Sequence, residues 1–333
     1  MPEAAQESGL PPDQLTRLLA GDKAALARAI SILEAGGSRA EALARRLRPE
    51  AGQAAVIAFT GPPGAGKSTL VAAYISALRA RGEPVAVLAV DPSSPISGGA
   101  LLGDRTRMGQ HSGDPGVFIR SLAARGHLGG LALSVPAILD ALDAAGWPKV
   151  ILETVGAGQS ETEIAEVADV KVVLTAPGLG DDIQAIKAGI LEIADVLVVN
   201  KCDLPDADRT ARQLRIMLEL RPSDRRDVQV VLTAATSGAG LSDLEDAIAA
   251  RVEAVGSQDR QQRAVRRLRG LLRRHAEAAF HERLSGLPEG TLDRLCTALR
   301  SGEVSLEDAV SRLTRLAAGP LEPIEAPETT VDE

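Results

Sequence analysis

Aromatic side chains are scarce: three Phe, one Tyr and one Trp make up 2% of 333 residues. The core must then be built from Ala, Leu, Val and Ile, and little remains with which to stack nucleobases. A formal net charge of −8 argues against a broadly basic surface, so no nucleic-acid partner is expected. The two cysteines, Cys202 and Cys296, suffice for neither a disulfide framework nor a four-cysteine zinc site. Four histidines, His111, His127, His275 and His281, make no metal-ligand spacing with either cysteine. No apolar run is long enough to cross a bilayer. The opening MPEAAQESGL lacks the basic-then-apolar order of a signal peptide. A cytoplasmic chain without a membrane partner is the expectation.

What is present is an ordinary globular balance, 45% apolar and 25% charged. From Ala54 short apolar runs alternate with helical stretches: AAVIAFTG, PVAVLAVD, GVFIRSL, KVILETVG, VKVVLTAP, DVLVVNK and VQVVLTAA. Unbroken runs of this kind suit strands buried on both faces of a parallel sheet. Helices are expected after Gly66, near Gly130, near Glu161, at Asp181, near Asp206 and near Leu241. Residues 51–256 therefore read as a three-layer α/β domain with a mostly parallel sheet. Residues 1–50 are an N-terminal helical extension, two or three helices between Asp13 and Arg48, with Gly36-Gly37 and Ser38 as a stop and N-cap. Residues 257–317 are a C-terminal helical region with helices at 258–284, 288–301 and 305–317, and 318–333 read as a disordered tail. The first of these helices is rich in arginine, a solvated basic face or a docking surface.

The chemistry is concentrated in a few segments. Gly61-Pro62-Pro63-Gly64-Ala65-Gly66-Lys67-Ser68, followed by Thr69, fits G-x-x-x-x-G-K-[ST] between a strand and a helix. Its glycines let the backbone wrap a phosphate chain, and the helix N-terminus adds partial positive charge. Lys67 is expected on the β- and γ-phosphates and the Ser68 hydroxyl on Mg²⁺. The α/β domain is thus read as a P-loop NTPase. Asn200-Lys201-Cys202-Asp203 follows another strand and selects the base. Asp203 can accept two N–H groups from guanine, whereas adenine offers a lone pair at one of those positions. Asn200 is expected to help position the base and the Lys201 stem to cover its face. Thr233-Ala234-Ala235 stands where a backbone N–H meets the guanine oxygen. Glu153 ends the strand KVILE, placed to hold a Mg²⁺-bound water, and Gly156 lies within reach of the γ-phosphate. Asp91 and Asp104 point to the same sheet edge, the carboxyl edge where open α/β sheets bind ligands. Pro92 to Met108 is a long Gly/Ser-rich loop, read as a switch around γ-phosphate and Mg²⁺, with Arg105 and Arg107 near phosphate. Lys67, Asp91, Glu153 and Gly156 make up the expected catalytic set.

Together, GPPGAGKST (61–69), VLAVDPSSPISGGALLGDRTRM (87–108), ILETVGAGQSETE (151–163), GDDIQAIKAGILEIAD (180–195) and NKCD (200–203) resemble the methylmalonyl-CoA-mutase-associated GTPases, which chaperone cobalamin-dependent acyl-CoA mutases. The resemblance covers nearly the whole chain except its tails. It implies GTP as substrate, GDP as product, and Mg²⁺ held by Ser68 with Asp91, Asp104 and Glu153 in or near the metal shell. It further implies a switch over Pro177 to Lys187, where Asp181, Asp182, Gln184 and Lys187 are the polar candidates. A homodimer built through the C-terminal helices, and an adenosylcobalamin-dependent acyl-CoA mutase as partner, follow from the same resemblance. Arg105 stands where the family often has lysine, ALLGD replaces the commoner SILGD, and Ala176-Pro-Gly-Leu-Gly departs from the usual switch wording.

No glutamine directly follows Gly156, and Gln159 comes three residues later. Slow intrinsic hydrolysis, accelerated by a partner that orders the loops, is the expectation. The output implied by the family is loading of intact cofactor into the mutase and removal of damaged cobalamin. One rival is a nickel-insertion GTPase, which would carry a Cys/His motif near the nucleotide. Another is a kinase acting on a small molecule or protein, against which the guanine motif weighs.

Overall fold

The computed structural model describes residues 10–92, 109–111, 113–124, 134–154, 167–178, 193–219, 227–256 and 260–318. Seven strands form one sheet: β1 (Ala55–Thr60), β2 (Val85–Pro92), β3 (Val117–Ala124), β4 (Lys149–Thr154), β5 (Val170–Thr175), β6 (Val196–Asn200) and β7 (Gln229–Thr233). Their spatial order is β3-β2-β4-β1-β5-β6-β7, and every pairing is parallel. The sheet is therefore wholly parallel among the described strands, tighter than the mostly parallel expectation. β1 lies between the two halves of the sheet, so its carboxyl end opens at the topological switch point.

Side chains of β1 alternate between two apolar layers, as a strand buried on both sides must. Ile57 and Phe59 pack with Leu70 and Ile75 of α4 (Lys67–Ala80) and with Leu244 and Ile248 of α7 (Leu241–Gly256). Val56 and Ala58 face the other layer, formed by α1 (Pro12–Leu19), α2 (Lys23–Ala35), α3 (Gly37–Leu47) and α5 (Val135–Ala144). Leu18, Leu26, Ile30, Leu43 and Leu47 share that cluster with Leu88 and Leu152 of the sheet. The N-terminal helices thus share one layer of the domain with α5. α6 (Ala207–Glu219) closes the far end through Ala211 and Leu214 against Val173, Leu197 and Val199.

The α2–α3 junction differs from the sequence expectation. Both Gly36 and Gly37 have positive φ, 74° and 78°, and α3 starts at Gly37 with no side-chain cap. The two glycines complete the reversal by themselves, so Ser38 falls inside the helix and does not cap it.

Contacts divide the chain after Gly270 into two compact units, a division that falls inside α8 (Arg260–Ser285). In the second unit, α9 (Thr291–Ser301) ends on Gly302 with φ 76°, a left-handed stop. α10 (Leu306–Ala318) is capped by the Ser305 hydroxyl, which accepts from the Asp308 N–H at 3.0 Å. Its Ala309 and Ala317 are buried, whereas Leu306, Val310 and Leu316 are exposed. Among the described residues, no helix is long and apolar enough to cross a membrane.

Candidate functional site

β1 delivers the chain directly into the glycine loop. Gly61 has φ 144°, and a Cβ there would overlap the Leu174 carbonyl oxygen of β5. Only glycine fits, which fixes where the loop leaves the sheet. Gly66 is left-handed at φ 87°, with a would-be Cβ 2.5 Å from Asn200 Nδ2. α4 starts at the next residue. The buried Lys67 ammonium donates to the Gly61 carbonyl at 2.8 Å and the Pro62 carbonyl at 3.1 Å, so it is folded back into the loop it would serve. Pro63, Gly64 and Thr69 are exposed on the loop and first helical turn, while Ala65 is buried beneath them.

The second helical residue meets the end of β4. Ser68 Oγ donates to Glu153 Oε1 at 2.6 Å, with both residues buried. This hydroxyl–carboxylate pair offers the hard oxygen donors that Mg²⁺ prefers, beside the loop that would carry the phosphates. Among the described residues there is no group of three metal-ligating acids, histidines or cysteines. Asp91 occupies the penultimate position of β2, beside β4 in the sheet, but its side chain lies outside the described set. Asp104, Arg105, Arg107, Gly156, Gln159, Asp181, Asp182, Gln184 and Lys187 also lie outside the described residues.

At the base end, the Asn200 side chain turns inward. Its Nδ2 donates to the Ala65 carbonyl at 2.8 Å, and its Oδ1 accepts from Thr233 Oγ1 at 3.1 Å and the Ala235 N–H at 3.3 Å. One buried amide thus ties the glycine loop to the segments at Asn200 and at Thr233–Ala235. Lys201 takes a left-handed φ of 58°, and its Cε passes 3.9 Å from the would-be Gly66 Cβ. Its stem therefore runs along the loop. Asp203 is exposed, in a turn closed by Leu204 N–H to the Lys201 carbonyl at 2.9 Å. The Ala234 N–H is committed to the Ala239 carbonyl at 3.0 Å, which leaves Ala235, with the longer bond to Asn200, as the better candidate donor.

Two aspartates escaped the motif reading although they set the site's foundation. Asp143, buried at the end of α5, accepts the Gly52 N–H at 2.6 Å and the Gln53 N–H at 2.9 Å, pinning the entry to β1. Asp169 accepts the Val56 N–H at 2.9 Å while donating its own N–H to the Val56 carbonyl at 2.8 Å, setting β1 against β5. An acid in the last turn of a mostly apolar helix, and one directly before an apolar strand, were the available signals. Thr60 and Thr154, adjacent at 3.4 Å, fill the floor where β1 and β4 end.

Comparison with known proteins adds a lineage to this geometry. Residues 26–287 match a family described as Methylmalonyl Co-A mutase-associated GTPase MeaB. A relative from Caulobacter vibrioides, bearing a GTPase name, is 41% identical over 310 residues, which is 89% of this chain and 94% of that protein. A mouse protein named methylmalonic aciduria type A homolog, mitochondrial, is 36% identical over 69% of this chain and 60% of its own length. The crystal structure of a LAO/AO transport system kinase aligns with a TM-score of 0.73 at 26% identity, covering 92% of this chain and 97% of that one.

Proposed function

The chain belongs to the family of methylmalonyl Co-A mutase-associated GTPases, and from that premise we propose that it hydrolyses GTP, with Mg²⁺, in the service of an adenosylcobalamin-dependent acyl-CoA mutase. The observation that carries the chemistry is the 2.6 Å contact of Ser68 with Glu153 at the mouth of the glycine loop. Bound there, Mg²⁺ would neutralise charge on the β- and γ-phosphates. Ser68 and Glu153 would hold the cation, Ser68 directly and Glu153 through water. Lys67 would exchange its two loop carbonyls for phosphate oxygens. Attack of water on the γ-phosphorus forms one P–O bond and breaks the bond to the β–γ bridging oxygen, giving GDP, phosphate and a proton to solvent. Asp203 would accept the two guanine N–H groups, and the Lys201 stem would cover the ring.

On this reading hydrolysis is slow in the chain alone and rises when a mutase orders the loops, and its output is loading of intact cofactor and removal of damaged cobalamin. The exposed apolar residues of α9 and α10, Leu292, Leu306, Val310 and Leu316, are proposed to join two copies into a homodimer. The kinase title belongs to the structural neighbour. Here the Asp203 carboxylate lies on the segment that the Asn200 amide joins to the glycine loop. It would meet two guanine N–H groups but a lone pair of adenine, which favours guanine nucleotide over ATP.

Hydrolysis of GTP and ATP is to be measured with the chain alone and with purified adenosylcobalamin-dependent acyl-CoA mutases. Slow, GTP-specific turnover that rises with one mutase is the expected result. Equal turnover of ATP would sink the base assignment, and GTP turnover indifferent to every mutase would sink the partner assignment.

A further inference from the structure

The segment around His111 and Asp114 grips the P-loop helix by one face. His111 is buried, and its Nε2 lies 3.2 Å from both the Ala72 carbonyl oxygen and Ser76 Oγ. A carbonyl can only accept, and the Ser76 hydroxyl already donates to that same carbonyl at 3.0 Å. Both contacts therefore require a proton on Nε2. Three residues on, Asp114 receives a two-pronged bond from Arg79, at 2.9 and 3.0 Å, and accepts the Gly116 N–H at 2.7 Å.

Ser68, Ala72, Ser76 and Arg79 recur at spacings of four, four and three, so they share one face of α4. The helix face that presents the Ser68 hydroxyl to Glu153 is thus the face that His111 and Asp114 hold. Their segment is held from its other side as well. Lys23 of α2 donates to the carbonyls of Asp114 and Val117 at 2.8 and 2.7 Å, with its ammonium 5.8 Å from the Trp147 ring centre.

We propose that His111 is a positioning residue for the nucleotide-bound cation: its Nε2–H bond to Ala72 and Ser76 braces the face of α4 that presents Ser68 to Glu153. It touches neither nucleotide nor metal and acts through the backbone it anchors. This rests on reading the site as one for GTP with Mg²⁺. None of the family motifs carried over from the sequence includes His111.

The test compares the full-length chain with His111→Ala, His111→Gln and His111→Asn. A glutamine amide nitrogen reaches the position of Nε2, whereas an asparagine nitrogen reaches only that of Nδ1. The readouts are the affinity for a fluorescent GTP analogue with and without Mg²⁺, the affinity for GDP without Mg²⁺, and the melting temperature. His111→Ala and His111→Asn are expected to lose roughly fivefold or more of the affinity gained on adding Mg²⁺, as for one lost hydrogen bond. His111→Gln is expected to restore most of that gain, and Mg²⁺-free GDP affinity is expected to stay unchanged in all three. A Mg²⁺ gain in His111→Ala equal to wild type would overturn the proposal. So would a His111→Gln chain that melts normally yet is as impaired as His111→Ala. Failure of the GTP reading shows separately, in a wild-type chain whose affinity for the analogue ignores Mg²⁺, and it takes this proposal with it.

Discussion

The carboxylate of Asp203 is exposed, so its part in base choice can be changed without disturbing the fold. Asp203→Asn replaces one of two acceptor oxygens by a donor and should cost roughly a hundredfold in GTP affinity, because one guanine N–H group then faces an N–H instead of an acceptor. The same change should raise affinity for XTP, whose extra ring carbonyl accepts where guanine donates. Competition binding measures both arms, and unchanged GTP preference would remove Asp203 from the base site. Asn200 behaves differently because it is buried and bonded on three sides. Asn200→Ala strands the Ala65 carbonyl, the Thr233 hydroxyl and the Ala235 N–H, and should cost about 2–3 kcal/mol of folding stability in denaturant titration. A variant as stable as wild type would mean that the brace contributes nothing. These two residues mark what can be read from letters. The G-x-x-x-x-G-K-S and N-K-x-D spacings were legible because each fixed letter meets a stereochemical demand, as at Gly61 under the Leu174 carbonyl. The inward turn of Asn200 was not, since its partners lie 135 and 33 residues away in the chain.

At the level of elements, the seven apolar runs correspond to the seven strands. Inner strands such as β1 are buried on both faces and leave an uninterrupted signal. The edge strands β3 and β7, where Arg120 or the exposed Gln229 intervene, keep enough of it to be read. The three C-terminal helices fall within a few residues of their expected limits for a related reason, the helical recurrence of Leu and Ala. The strand order was beyond reach, as it depends on pairings such as Val56 with Val150 that no local pattern encodes. For the same reason the sequence did not reveal that the N-terminal helices pack with α5 against one face of the sheet. The hold of His111 and Asp114 on α4 is another long-range feature, and it has a pH signature. The Arg79 guanidinium, helped by the Gly116 N–H, holds the Asp114 carboxyl below its ordinary range. A carboxyl depressed in the folded state stabilises the fold above its unfolded pKa, about 3.9, and that contribution fades as pH falls through the lower folded value. Wild type should therefore lose melting temperature more steeply than Asp114→Asn below about pH 4, while the two curves run parallel nearer neutrality. Parallel curves throughout the acid range would mean that the ion pair does not hold this segment.

For the whole molecule, the open question is what covers the C-terminal helices. The second unit buries few apolar side chains of its own among the described residues, Ala309 and Ala317 in α10, while Leu306 and Val310 of the same helix are 69% and 53% exposed. A spacing of four places these two on one stripe, and neighbouring apolar side chains left in water favour association. A second copy of the chain is the occupant proposed above. Wild type should then sediment as a dimer at micromolar concentrations, and Leu306→Asp combined with Val310→Asp should sediment as a monomer. Because the nucleotide residues described here all belong to the first unit, the double variant should keep its intrinsic GTP turnover within about twofold, a difference well under 1 kcal/mol in barrier. A wild-type monomer at those concentrations would sink the dimer. A double variant that remains dimeric would move the interface off this stripe. A monomer that has also lost intrinsic turnover would mean that the second subunit contributes to the nucleotide site, making assembly a condition of the chemistry.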